Sequence, residues 1–133
     1  MSYDEAYYRD LFERMGAAYN GHDAEAFADF FTEDGEWWLA RGPETCGQRV
    51  VGREDIRDMA RSRFGALRDV HLDVSRLWIK DNLAVAEWLF DGTTADGEKW
   101  RWLGCDLFEL RDGLVARKDT YWKQVTKVPE DRA

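Results

Sequence analysis

At 133 residues the chain is long enough for a single domain that buries most of its apolar surface unaided. It carries 27 acidic against 19 basic residues, a net charge of −8 with no basic cluster, which excludes a nucleic-acid partner on electrostatic grounds. No apolar run approaches the roughly 20 residues of a membrane helix, the acidic start MSYDEAYYRD lacks a signal-peptide core, and Cys46 and Cys105 are too few for a disulfide framework. These features fit a cytoplasmic protein with reduced thiols, no membrane partner and no metal, since two histidines and two separated cysteines give no ligand spacing.

In chain order, residues 4–19 predict a helix, because Tyr8, Leu11, Phe12, Met15 and Tyr19 recur at spacings of three and four. Asn20-Gly21-His22 breaks it, and Asp23 is placed to cap a second helix with Glu25 in its first turn and Phe27, Phe30 and Phe31 on its apolar side. Asp34-Gly35 turns the chain into a strand at Glu36–Arg41, and a loop from Gly42 to Gly52 holds Pro43 and Cys46. A third helix is expected from Arg53 to Leu67, with Ile56, Met59, Ala60 and Phe64 inward. Strands near Val70–Lys80 and Leu83–Asp91 are joined by Asp81-Asn82, and Gly92–Gly97 leads into a final hairpin. Three helices followed by antiparallel strands make an α+β domain, with helices on one face of a curved antiparallel sheet. One domain over 1–133 is expected, with a core of about 6–124 and a tail at 125–133.

The final hairpin, Lys99 to Lys123, is the most informative stretch. Asp112-Gly113 between alternating apolar residues is a strong turn signal. With a turn at Arg111-Asp112-Gly113, Leu110 faces Leu114, and the register sets Phe108 opposite Ala116, Asp106 opposite Lys118, Gly104 opposite Thr120 and Trp102 opposite Trp122. One face then holds two Trp, a Phe, and a lone acid beside a lone base, as in the wall of an apolar pocket. The other face carries Leu103, Cys105, Leu107, Val115 and Tyr121 among Arg101, Glu109, Arg117 and Asp119, which suits a two-fold interface.

Two readings of Asp106 stand. In an aromatic pocket, desolvation raises its pKa and makes it a proton donor or acceptor near neutrality. Paired with Lys118, it stays ionised. Lys118 in the same pocket could hold an anionic group or shuttle a proton, and Thr120 could orient a ligand oxygen. Trp37, Trp88, Trp102 and Trp122 suit either pocket lining or core packing. Trp78 and Trp100 fit an interface or a pocket mouth, and Arg41 fits solvent. No Gly-rich phosphate loop points to a cofactor.

The segments AAYNGHDAEAFADFFTEDGEW (17–37), VGREDIR (51–57), KDNLAVAEW (80–88) and DLFELRDGLVARKDTYW (106–122) resemble the nuclear-transport-factor-two-like superfamily, especially its SnoaL-like and ketosteroid-isomerase-like branch. The resemblance covers about 8–123. It implies a cone, the cystatin-like α+β roll, with a curved sheet wrapped over three N-terminal helices, a pocket opening at one end, and a homodimer through the convex sheet face. Ketosteroid isomerases hold a dienolate oxygen with a tyrosine and a protonated acid and move the proton with a second acid. Asp106 falls on the protonated acid, whereas the tyrosine falls on Met15 and the second acid on Leu39. The Arg and two Asp of limonene-type epoxide hydrolases fall on Trp88, Phe90 and Thr120. A histidine–acid pair of the dehydratase kind falls near His71 and Asp23, although Asp23 already serves as a cap.

The resemblance thus marks Met15, Leu39, Trp88, Phe90 and Thr120 as cavity positions, and Tyr19, Trp37, Phe64, Trp102 and Trp122 complete the expected substrate-binding set. The function expected is cofactor-free proton transfer of the isomerase, dehydratase or polyketide-cyclase type on a small, apolar, cyclic ligand, centred on Asp106 with Lys118. The alternative is a non-catalytic ligand-binding or dimeric accessory protein of the same fold.

Overall fold

In a computed structural model of the chain, residues 3–126 are described, so the expected tail lies outside them from residue 127 onward. The elements run α1 (Glu5–Asn20), α2 (Ala24–Asp29), β1 (Phe31–Glu44), β2 (Gly47–Val51), α3 (Arg53–Ala66), β3 (His71–Lys80), β4 (Leu83–Thr93), β5 (Lys99–Arg111) and β6 (Leu114–Trp122). They form one six-stranded sheet in the order β2-β1-β6-β5-β4-β3, with the helices packed on its inner face. No helix among the described residues is long and apolar enough to cross a membrane.

Local chemistry sets the helix ends. Asp4 accepts a hydrogen bond from Tyr7 N at 2.9 Å and caps α1, whose buried stripe is Tyr8, Leu11, Met15 and Tyr19. Asp23 caps α2 through Ala26 N at 3.0 Å. In α3 the acids Glu54 and Asp55 occupy the first turn, where they suit the helix dipole. Both ends of α1 are tied across the sheet. Tyr7 Oη donates to Gly113 O at 3.0 Å, and Asn20 bonds both backbone groups of Leu72, at 2.9 Å to O and 2.8 Å from N. The helix is thereby strung over the inner face of β3 to β6.

The α+β class and the layering agree with expectation, and four details differ. The segment from Gly42 to Gly52 is not all loop: residues 47–51 form β2, an edge strand that pairs with β1 from Glu36↔Val51 to Glu44↔Gly47. Its five residues bury one side chain, Val50, so it has no apolar alternation to read. Phe31 opens β1 instead of extending α2, and an irregularity before Glu36 absorbs Asp34-Gly35. The sheet is mixed, because β1 and β6 run parallel. That pairing joins strands far apart in sequence, which local pattern does not encode.

The fourth difference is the hairpin register. The turn has two residues, Asp112 at φ 53° and Gly113 at φ 78°, with Arg111 opposite Leu114. Both left-handed positions match the tight hairpin turn that follows strand twist. A bulge at Ala116 then moves the pairing from Leu110↔Val115 to Glu109↔Arg117. Beyond it Asp106 lies opposite Thr120, Phe108 opposite Lys118 and Gly104 opposite Trp122. The shift preserves parity, so Asp106, Lys118 and Thr120 still share the inner face. It reverses Val115, which is fully buried instead of lying on the convex face.

On that convex face Leu103, Leu107 and Tyr121 remain exposed, with Asp119 buried beside them. Burial pushes the Asp119 carboxyl above the usual carboxylate range, against the Tyr121 hydroxyl and Arg117. Since the folded-state value is raised, this group favours folding below its ordinary value of 3.8 and loses that contribution as pH rises through the raised value. Asp119→Asn should therefore stabilise the protein at pH 7, with the advantage vanishing in acid. Urea midpoints of variant and parent across pH 3.5–7 check it, and an advantage that persists unchanged into acid contradicts it.

Candidate active site

Three strands deliver one buried polar cluster. Asp106 on β5 and Lys118 and Thr120 on β6 are each at most 4% exposed, and Trp88 on β4 is 2% exposed. Lys118 Nζ donates to Asp106 Oδ1 at 2.9 Å and to Thr120 Oγ1 at 3.1 Å. Thr120 Oγ1 donates to Asp106 Oδ1 at 2.7 Å and accepts from Trp37 Nε1 at 3.2 Å. Trp88 Nε1 donates to Asp106 Oδ2 at 2.9 Å. Lys118 reaches Asp106 diagonally, a span open to a long side chain between neighbouring strands. The geometry is that of the expected ion pair, extended by two indoles and a hydroxyl.

Burial lowers the pKa of the Lys118 amine, and the Asp106 carboxylate opposes the shift. Burial likewise raises that of the Tyr19 phenol, against the Arg63 guanidinium. The Tyr19 hydroxyl is buried with no hydrogen-bond partner.

A cavity of about 590 Å³ opens between α1 and β3, and Asp106, Lys118, Trp88, Met15 and Tyr19 line it. Its walls are completed by Phe12, Phe27, Ala86 and Phe108, with Arg9, Glu13, Asn20, His71 and Asp73 contributing polar groups. The predicted lining residues thus divide. Trp37, Phe64, Phe90, Trp102 and Trp122 do not line this cavity but pack beside it. Phe90, Trp102 and Trp122 pack together with ring centroids 5.0–6.2 Å apart, Trp100 lies 4.6 Å from Trp102, and Phe64 packs on Tyr19 at 5.2 Å. Thr120 reaches Asp106 from that block, and Leu39 and Thr120 border a separate groove under the β1–β2 arm. Strand alternation placed the strand-borne side chains among these on the inner face, but Trp37, Trp88, Trp100, Trp102 and Trp122 are bulky enough to fill part of that face themselves.

His71 and Asp23 do not meet as a pair. The Asp23 carboxylate is engaged as a cap, and His71 is exposed at the start of β3, hydrogen-bonding to no other described side chain. Arg41 is exposed, as expected of a solvated arginine, and Trp78 is 49% exposed.

Arg63 lies against the inner-face tryptophans, a placement that sequence pattern overlooked. Its guanidinium lies 5.0 Å from the Trp37 ring centroid and 5.9 Å from that of Trp122, and no carboxylate among the described residues pairs with it. The signal was present, since Arg63 stands three residues after Ala60 and seven after Ile56 on the inward stripe of α3.

The sequence profile of the SnoaL-like domain matches residues 12–118. The chain belongs to the SnoaL-like family. No curated protein matches it. Among solved structures, this SnoaL-like chain is similar to a candidate ketosteroid isomerase from Kribbella flavida DSM 17836, with 25% identity, 96% of this chain and 88% of that one covered, and a TM-score of 0.71. A candidate polyketide cyclase from Xanthomonas campestris shows 23% identity over 89% of this chain and 91% of that one, with a TM-score of 0.77. TerC, co-crystallised with polyporic acid, shows 16% identity over 88% and 92%, with a TM-score of 0.75. The last two likenesses establish the shared SnoaL-like fold.

Proposed function

We propose that the chain is a cofactor-free enzyme that moves a proton on a small, largely apolar, cyclic ligand bound between α1 and β3. The observation that carries this reading is the Asp106–Lys118–Thr120–Trp88 cluster on the wall of an apolar cavity. A carboxylate held against an ammonium in a dry site can take a proton from a neighbouring carbon or return one to oxygen. Tyr19 adds a buried hydroxyl that lies beside the Arg63 guanidinium and whose proton has no acceptor among the described residues, a place a ligand oxygen would fill. The cavity volume suits a drug-sized molecule. Neighbours assigned as an isomerase and as a polyketide cyclase, and one solved with polyporic acid, support the ligand class. A cytoplasmic location fits the two free thiols, Cys46 and Cys105, and a homodimer fits the exposed Leu103, Leu107 and Tyr121 of the convex face.

One observation favours the rival reading, binding without chemistry. Thr120 has both lone pairs and its proton engaged, and Asp106 accepts from three donors, so the cluster is complete as a structural network. The test is Asp106→Asn, assayed against a panel of cyclic ketones and hydroxy-ketones. Turnover should fall by about 10²–10⁴ while ligand affinity, read by indole fluorescence, changes only a few-fold. Turnover that survives the substitution removes Asp106 from the chemistry. Tight binding with no turnover by the parent protein selects the rival.

A further inference from the structure

Among the described lysines, Lys80, Lys99 and Lys123 are exposed and only Lys118 is buried. Its side chain is 5% exposed, yet it borders the cavity. Two of its three N–H groups have oxygen acceptors, Asp106 Oδ1 and Thr120 Oγ1, and the amine also lies 5.1 Å from the Trp37 ring centroid. An amine between an acid, a hydroxyl and apolar walls has what a carbonyl nucleophile requires: desolvation, a proton acceptor at hydrogen-bond distance, and an adjoining space for the electrophile.

We propose that Lys118 forms an imine with an aldehyde or ketone bound in the α1–β3 cavity. The proposal rests on the reading of that cavity as a small-molecule site. Burial of the amine works in the same direction, because it favours the neutral, nucleophilic form over the ammonium.

The step balances within the cluster. The Lys118 ammonium passes one proton to the Asp106 carboxylate across the 2.9 Å contact. The free amine adds to the carbonyl carbon, the C–O π pair moves to oxygen, and a proton transferred from nitrogen gives a neutral carbinolamine. The Asp106 carboxylic acid then protonates the carbinolamine hydroxyl, water leaves, and the nitrogen pair forms the C=N bond. The products are an iminium on Lys118, the Asp106 carboxylate and one water, with no external oxidant or reductant. The iminium draws electrons from the adjacent C–H bond, so a single carboxylate suffices to take up the α-proton. This assigns enolisable aldehydes and ketones as the substrate class of the proposed proton transfer.

The experiment uses the intact protein, benzaldehyde as the probe and sodium cyanoborohydride to reduce any imine in place, with intact mass and peptide mapping as readouts. Lys118 should carry the benzyl group at least about ten times faster than any exposed lysine. Lys118→Arg, which keeps the cation but not the nucleophile, should lose the adduct, and Asp106→Asn should slow it about tenfold. Labelling spread over Lys80, Lys99 and Lys123 with Lys118 no faster overturns the proposal. Indole fluorescence without reductant separates the two ways of failing. Benzaldehyde that binds in the cavity yet leaves Lys118 unmodified overturns the imine alone, whereas benzaldehyde that neither binds nor labels overturns both the imine and the small-molecule reading of the cavity.

Discussion

Replacing Lys118 with Met should cost about 3–5 kcal/mol of folding stability, because it leaves the Asp106 carboxylate buried without its counter-ion. Asp106 is 2% exposed, so little water reaches it to take the place of the ammonium. Trp88 Nε1 and Thr120 Oγ1 would remain as donors, which keeps the loss below that of a bare charge. The paired change Lys118→Met with Asp106→Leu should recover at least half of the loss, since an ion pair exchanged for apolar groups of similar volume is close to neutral. Urea unfolding of both single variants and the double variant closes a thermodynamic cycle. A single-variant loss under about 1 kcal/mol would mean that the pair behaves like a surface salt bridge and that the cluster is wet.

Gly104→Ala should be the most damaging single-methyl change near the site. A Cβ there would stand 2.5 and 2.6 Å from two Trp88 ring carbons and 2.6 Å from Tyr121 O. Neither neighbour can yield cheaply: the ring is packed in the core and the carbonyl belongs to β6. Overpacking of this kind costs about 1–3 kcal/mol, and the displaced indole should also release Asp106. Both effects are measurable, the first by denaturation and the second as a shift of the Trp88 indole N–H resonance. Gly65→Ala supplies the control, because nothing lies within 4 Å of its Cβ position on α3, and it should stabilise the protein by about 0.5–1 kcal/mol. A Gly104→Ala protein with full stability and an unmoved indole resonance would show that the close packing of Trp88 on β5 is not needed to hold Asp106.

How far the sequence carried the reading depends on the range of each interaction. The helix stripes and caps were legible because they repeat within a turn or two: Tyr8, Leu11, Met15 and Tyr19 are buried as their spacing required, and Asp23 caps as its position required. The inner face of the hairpin was legible from alternation, and so was the meeting of Asp106 with Lys118. The bulge at Ala116 was not, because nothing in the local pattern distinguishes a three-residue turn from a two-residue turn followed by an inserted residue. The parallel contact of β1 with β6 depends on packing between distant segments. The same holds for the division of the tryptophans between cavity wall and filled core, which depends on how much volume neighbouring side chains leave. Arg63 shows a different limit. An arginine on an apolar stripe reads as a solvent-seeking exception until the Trp37 and Trp122 rings are seen near it.

The position of β6 has a kinetic consequence. The last strand of the described chain is third in the sheet and alone joins the β1–β2 arm to the β3–β5 meander by strand pairing. A nascent chain that has not yet delivered residues 114–122 holds two separate half-sheets, each with an open edge. Closing them joins residues more than 80 positions apart, Trp37 to Lys118 among them, so the slow, non-local step of folding comes at the end. Lys118 and Thr120 arrive on that same strand. The order of synthesis therefore defers assembly of the buried polar cluster until the scaffold is otherwise in place, and a chain halted before β6 would carry Asp106 with neither of its β6 partners.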